Sequence, residues 1–272
     1  MTVALAVILL ILLYAVGGER GIVTFISLCF NIVVLSLAIV LMSWDFDPIA
    51  VTFAGCLLIC SITMFYQNGK NAKTIASFWS VIIVLLILFA VTYTVGYAAH
   101  IRGISEIMQR EDEMIGLSAD INISMAKIAV SMIITGLIGA ASDTSIAIAS
   151  AVYEVYKNNR RLSQKELFLS GTSIGRDIMG ATVNTLYFAF IGESLSLLIL
   201  FRNHGYSIAE TVNSKAFFQE FAIIMISCIS CILVIPLTAA IISYILKHPE
   251  KLRKQLEEDK LFADQPAEQF TK

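Results

Sequence analysis

The chain has 272 residues, of which 57% are hydrophobic and only 15% are charged, and its formal net charge at pH 7 is -2. Soluble domains carry about 25% charged residues, and a soluble chain of this length could not bury so much apolar surface in one core. The slightly negative charge also argues against nucleic acid as a partner. The composition therefore predicts an integral membrane protein.

Seven apolar runs predict an all-α bundle of about seven transmembrane helices. A helix needs about 20 apolar residues to cross about 30 Å of hydrocarbon. The runs are, in chain order, 3–16, 22–43, 48–66, 74–98, 121–141, 178–201 and 217–246. The first run is short for a span, and the last is long enough to project from the bilayer. Because no basic segment or small-residue cleavage site accompanies the first run, we expect a retained helix rather than a cleaved signal peptide.

The Lys and Arg residues between the runs predict the orientation of the bundle. With the C-terminus in the cytoplasm, fourteen of these residues lie in cytoplasmic segments and only four in external ones. The external segments are also acidic, at Asp45, Asp47, Glu106, Glu111, Asp112, Glu113 and Asp120. Seven spans then place the N-terminus outside. We expect a transmembrane bundle over 1–246 and a cytoplasmic tail over 247–272, with a short solvated helix over 251–261.

The stretch Gly136–Ser145 interrupts its apolar run with Ser142, Asp143 and Thr144. Asp and Thr are good helix N-caps, since their oxygens accept hydrogen bonds from free amide groups. We therefore expect two half-helices, the second lying at the cytoplasmic interface near 145–161. Broken membrane helices expose backbone groups that transporters use as ion or substrate sites, which makes Asp143 and Thr144 pathway candidates. The alternative is that Asp143 only caps an interfacial helix, and Ser142 is assigned a structural role.

A second polar stretch accompanies the sixth run. Asn184 and Thr185 lie within its first turns, and Glu193 lies deeper. An uncompensated acid inside a membrane costs a few kcal/mol, so Glu193 should face the bundle interior, be protonated or pair with a base. These three residues are further pathway candidates, and the alternative for Glu193 is a structural hydrogen bond between helices. Arg176 and Asp177, where the run begins, are expected to form a structural anchor at the inner interface.

Several absences bear on the class of protein. The chain contains no G-x-x-x-x-G-K-[ST], H-E-x-x-H or G-x-S-x-G motif. The five cysteines all lie inside apolar runs and are odd in number, which argues against a disulfide framework. We therefore expect no enzyme activity, no catalytic residue, no cofactor and no bound metal. Energy for any transport would come from a gradient or from a partner subunit.

Two long motifs carry a resemblance to a known family. They are G-L-I-G-A-A-S-D-T-S-I-A-I-A-S-A-V-Y-E at Gly136–Glu154 and S-G-T-S-I-G-R-D-I-M-G-A-T-V-N-T-L-Y-F-A-F-I-G-E-S-L at Ser170–Leu195, with shorter matches at 17–21, Asn31 and 68–70. At these residues the chain resembles the bacterial YibE/F family of multi-pass membrane proteins, and its compact form resembles the shorter YibF type. The resemblance implies a Gram-positive plasma membrane and a partner of the longer YibE type. The family pattern includes Asp143, Arg176, Asp177, Asn184 and Thr185.

These features together predict a permease subunit of the plasma membrane. It would transport or export a small solute, ion or peptide, with a YibE-like membrane partner or as a homo-oligomer. The alternative is a non-transporting scaffold or regulatory subunit of a two-component membrane complex. In that case the polar residues only join helices to one another.

Overall fold

The computed structural model describes residues 1–98 and 124–248, which form helices joined by short turns. The helices are, in chain order, α1 (Thr2–Gly17), α2 (Glu19–Ser43), α3 (Pro48–Ser61), α4 (Ala72–Ala98), α5 (Met125–Asn158), α6 (Gln164–Asn203), α7 (Ile208–Val212) and α8 (Lys215–Lys247). A π-helical turn, Ile62–Tyr66, continues α3. The predicted all-α class is confirmed.

Six of these helices, α2 to α6 and α8, are long and apolar enough to cross a membrane, with α3 counted together with its π-helical turn. The first apolar run forms α1, which at 16 residues is shorter than the about 20 residues that a span needs. Within the described residues, six helices rather than the predicted seven therefore reach spanning length. The chain is a multi-pass membrane protein.

Helices α5 and α8 form the centre of the bundle. Helices α3 and α4 pack against α5, α6 packs against both α5 and α8, and α1 packs against α2 at the edge. Lipid tails are as apolar as leucine, so membrane helices associate through close packing and hydrogen bonds more than through water exclusion. Close packing between side chains is evident on α6, where a Cβ atom at Gly175 would lie only 2.4 Å from Cγ2 of Ile235 on α8.

The predicted break at Ser142–Ser145 is wrong, because α5 is one continuous helix of 34 residues. The Thr144 hydroxyl donates to the Ala140 carbonyl oxygen at 2.9 Å, within its own helix, instead of capping a new one. Residues 145–158 of the expected interfacial helix form the second half of α5.

Helix α6 begins at Gln164, well before the expected start at 178. The cause is a capping box, in which the Ser163 hydroxyl accepts a hydrogen bond from the Glu166 amide at 3.3 Å and the Glu166 carboxylate accepts one from the Ser163 amide at 2.7 Å. The apolar run marks only the part of this helix that suits a membrane. Two further predictions, the first residues of the fifth span at 121–123 and the tail helix at 251–261, lie outside the described residues.

Basic side chains gather at one end of the bundle, which we call the basic end. The α3–α4 turn and the α5–α6 turn lie there, and the Lys247 ammonium of α8 donates to the Arg160 carbonyl oxygen at 3.1 Å. The basic residues of this end include Arg20, Lys70, Lys73, Arg160, Arg161, Lys165 and Lys247. The positive-inside rule predicts that the basic end faces the cytoplasm.

At the opposite end, Asp47 caps α3 and pairs with α5. Its carboxylate accepts hydrogen bonds from the amides of Ile49 at 3.0 Å and Ala50 at 3.2 Å, and it forms an ion pair with Lys127. The Lys127 hydrogen bond first, and then the Ala50 amide, lower the pKa of Asp47 below its usual value. A lowered pKa means that this carboxylate stabilises the fold above its ordinary pKa, and that the stabilisation is lost as the pH falls through the lowered value.

Asp47→Ala is therefore expected to lower the free energy of unfolding by about 1 kcal/mol at pH 7, through the lost cap and the solvent-screened ion pair. The difference from wild type should shrink as the pH falls below about 4, where the carboxylate begins to be protonated in the unfolded chain. Thermal unfolding in detergent at pH 7 and pH 3 measures this difference in stability between Asp47→Ala and wild type. Asp45→Asn, which removes a charge from the same turn but suits its φ of 62°, is the control. An Asp47→Ala deficit that is unchanged at pH 3 would contradict this account.

Candidate functional site

A layer of small polar side chains crosses the interior of the bundle, and we call it the polar layer. Its members are Cys60, Ser77, Ser142, Thr144, Ser145, Cys231 and Thr238, and all are buried. The Ser142 hydroxyl lies 3.4 Å from the Cys60 sulfur of α3, and the Thr144 hydroxyl lies 3.4 Å from the Cys231 sulfur of α8. Hydrocarbon offers no hydrogen-bond partners, so these contacts bind α5 to its neighbours.

Ser145 joins three helices in the same layer. Its Oγ lies 3.0 Å from Thr238 Oγ1 on α8 and donates to the Ser77 carbonyl oxygen on α4 at 3.3 Å. A hydroxyl has one proton, so Ser145 accepts from Thr238 while it donates to Ser77. The sequence identified the polar character of Ser142 to Ser145 but not these partners, because no local pattern shows which helices meet.

Asp143 differs from its neighbours in the layer, because its side chain is exposed. It interacts electrostatically with Cys231, but it has no hydrogen bond or ion pair within the part of the chain that the structure describes. Ser131 donates to the Pro48 carbonyl oxygen at 3.1 Å, which sets it level with the start of α3. Asp143 follows Ser131 by twelve residues, or about 18 Å along α5. It therefore lies inside a spanning helix and cannot serve as the predicted N-cap.

The face of α5 that carries Asp143 leads to a polar cavity at the basic end. Ile146 and Ser150 follow Asp143 by three and seven residues, which places them on the same side of the helix. Both line a cavity of about 370 Å³. Its other lining residues are Arg20, Gln67, Asn68, Gly69, Asn71, Lys73 and Thr74. The cavity is thus lined by two cations and several amide and hydroxyl groups, and one of its lining residues, Ile146, lies one helical turn from Asp143.

The candidates on α6 lie apart from this face. Arg176, Asp177, Asn184 and Thr185 are all exposed. The Thr185 hydroxyl donates to the Ala181 carbonyl oxygen of its own helix at 3.0 Å. Among the described residues, none forms an ion pair or hydrogen bond with Arg176, Asp177 or the Asn184 amide. The structure does not bring these four residues together with Asp143.

Glu193 is exposed, and it interacts electrostatically with a second acid, Glu220 of α8. The interaction is repulsive, and neither carboxylate forms an ion pair with any residue in the ranges 1–98 and 124–248. Glu193 therefore interacts with an acid rather than with the base that was one of the expected compensations. Sequence reasoning missed Glu220, although the pair Gln219–Glu220 interrupts the last apolar run and marks a polar position there.

The five cysteines are free thiols in the structure. Cys60 and Cys231 belong to the polar layer, and Cys56 is buried beside them in the apolar core. Over the described residues, no group of three or more His, Cys, Asp or Glu side chains could hold a metal ion. Cysteine here packs as a small, weakly polar residue.

Comparison with known proteins gives one match. The family model described as YibE/F-like protein matches residues 5–248. The match includes both long motifs, the polar layer of α5 and the acidic pair on α6 and α8. No curated protein and no solved structure matches the chain.

Proposed function

Because the chain belongs to the YibE/F family, we propose that it is a permease subunit of a bacterial plasma membrane. In this proposal it transports or exports a small solute, ion or peptide and works with a YibE-like membrane subunit. It performs no chemistry on its cargo, so no catalytic residue, metal or cofactor is assigned. The observation that carries the proposal is Asp143, which has no ion pair among the described residues and lies on the face of α5 that lines the polar cavity.

An acid at this depth is costly unless something compensates it. Charged side chains at the centre of a spanning helix cost about 2.5–3.5 kcal/mol on insertion scales, and they mark substrate and ion pathways. Asp143 has no basic partner among the described residues, so a cation, a proton or a polar substrate group is the natural compensation. The cavity one turn away gives such a ligand access from the basic end.

The pair Glu193 and Glu220 supports the same proposal from the other half of the bundle. Two carboxylates that repel each other are stabilised when they share one proton or one cation. A bound proton or cation would thereby be held between α6 and α8, the two helices that carry these acids. We assign this pair to the coupling ion and Asp143 to the cargo or the same ion further along its path.

Glu193→Gln and Glu220→Gln are each expected to lower ion flux by about tenfold, and the double variant should be no worse than either, because one shared ion binds the pair. The chain, co-purified with a YibE-like subunit, is reconstituted in proteoliposomes that contain either a pH-sensitive or a sodium-sensitive dye. Flux is followed after a membrane potential is imposed.

Glu210→Gln is the matched control for this experiment. It makes the same chemical change in α7, between the two helices, where glutamine also completes the Ser207 capping box. If the wild-type complex moves no more protons or sodium ions than protein-free liposomes do, the ion-coupled permease is rejected. Additive losses in the double variant would reject a shared ion.

The polar layer favours a second function, a non-transporting scaffold of a two-subunit complex. The three α5 hydroxyls, of Ser142, Thr144 and Ser145, all make contacts with neighbouring helices, as residues that only join helices would. The scaffold interpretation predicts that Ser145→Ala weakens assembly with the YibE-like subunit and that the intact complex moves neither ion. Flux through the intact complex would reject it.

A further inference from the structure

Within the part of the chain that the structure describes, one side of α6 is left uncovered over about half of its 40 residues. Six positions on it, which we call the seam, are all exposed: Ser173, Asp177, Gly180, Asn184, Tyr187 and Ile191. Their separations alternate between four and three residues, the spacing with which two helices wind around each other. The next position in this pattern is Ser194, which is buried in its own bundle. The seam therefore ends there, after 18 residues or about 27 Å of helix.

The seam has the composition of a helix–helix contact rather than of a lipid-facing surface. Asn184 and Asp177 have no partner among the described residues, and unsatisfied polar groups are costly in hydrocarbon. Gly180 adds a separate observation, because a Cβ atom there would have no neighbour within 4 Å. Nothing described in this chain requires glycine at 180, whereas a second helix packed on the seam would approach closely at that point.

We propose that the seam binds a second copy of this chain, as a two-fold symmetric dimer with its axis along the membrane normal. Two copies inserted in the same orientation place their α6 helices parallel. In a parallel pair, the seam positions Asp177, Asn184 and Ile191 each pack against their own equivalent and against the residue just before it on the other helix. Asp177 therefore meets both Asp177 and Arg176 of the partner subunit, and the two arginines balance the two acids across the axis.

Charge complementarity favours a second copy as the occupant. Arg176 and Asp177 are adjacent in sequence and point in different directions on their own helix, so they cannot satisfy each other there. A two-fold axis on the seam pairs both charges and brings the two Asn184 amides together, where they can exchange hydrogen bonds. This dimer goes beyond the proposed permease function and does not depend on it, and the edge formed by α1 and α2 stays free for a different subunit.

The test co-expresses two copies of the full chain that carry different affinity tags. Purification through one tag is expected to recover the other copy. Gly180→Leu, introduced in both copies, is expected to lower that recovery by about tenfold, or about 1.4 kcal/mol. Gly192→Leu is the matched control, because it is also exposed with no atom within 4 Å of its Cβ position, but it lies off the seam. Equal recovery with Gly180→Leu and Gly192→Leu would overturn the proposal.

Charge reversal provides an independent measurement. R176D alone and D177R alone should each lower recovery of the second copy, because each places like charges together across the axis. The double variant R176D/D177R should restore recovery, since it exchanges the two charges and keeps the pairs. If the double variant lowers recovery of the second copy as much as the single variants do, the assigned contact between Arg176 and Asp177 is wrong. Recovery of a YibE-like subunit without the second copy would overturn the choice of occupant.

Discussion

Asp143→Asn is expected to lower transport by at least about tenfold while leaving the bundle assembled. The amide has nearly the same shape as the carboxylate but can neither hold a cation by charge nor exchange a proton. A hydrogen bond to a charged group is worth about 1.5–3 kcal/mol, so the loss corresponds to a fall in flux of about 10- to 100-fold. Flux of protons and sodium ions into proteoliposomes, measured for the complex with a YibE-like subunit, tests it.

Two variants separate a role in the pathway from a role in folding. Glu154→Gln removes an acid from the exposed surface of the same helix and should leave flux at the wild-type level. Asp143→Glu keeps the charge and should retain part of the flux, whereas a site that only needs a small polar side chain would prefer asparagine. Wild-type flux in Asp143→Asn, with the complex intact on size-exclusion chromatography, would remove Asp143 from the pathway.

The apolar runs predict the spanning helices well because length and hydropathy are enough to define a membrane helix. The predicted run 22–43 lies within α2, and the run 48–66 corresponds to α3 with its π-helical turn. The same criterion fails for α6, whose polar first turns from Gln164 are helical but not apolar. The capping box of Ser163 and Glu166 was the signal that places its start.

Continuity of α5 was harder to predict. Ser, Asp and Thr favour helix starts when their side chains bond to free amide groups, but in the middle of a helix a hydroxyl can bond to the carbonyl of the preceding turn. Thr144 does the latter, and Ser142 and Ser145 bond to other helices. Which of these outcomes is realised depends on the neighbours, and a single sequence does not contain that information in any local pattern.

The acidic pair shows the same limit for the site. The sequence identified Glu193, because this acid interrupts an apolar run. The sequence also indicated that burying the Glu193 carboxylate in a membrane would be costly. It could not show that Glu193 interacts with Glu220, 27 residues further along the chain on α8. Such pairings depend on the rotation of each helix about its own axis. In a helix that is apolar on nearly all sides, the hydropathy pattern does not indicate which side faces the neighbouring helix.

Gly175→Ala is expected to destabilise the bundle by about 1–3 kcal/mol, the usual cost of overpacking a tight contact. The added Cβ would lie 2.4 Å from Cγ2 of Ile235 and 3.3 Å from its Cγ1. Isoleucine is branched at Cβ and has little rotamer freedom in a helix, so it cannot turn away. Gly192→Ala, in open space on the same helix, should instead be neutral or stabilising, because alanine favours helix over glycine. Thermal unfolding in detergent compares the two variants.

A double-mutant cycle identifies the contact as the cause. Ile235→Ala removes the atoms that Gly175→Ala would strike, at the cost of a cavity between α6 and α8. If the clash explains the loss, Gly175→Ala should be far less harmful in the Ile235→Ala background than in wild type, which is a coupling of about 1–2 kcal/mol. Independent losses would mean that Gly175 is needed for a reason other than this contact. A coupling of this size would show that the close approach of α6 to α8 at Ile235 depends on a glycine at position 175.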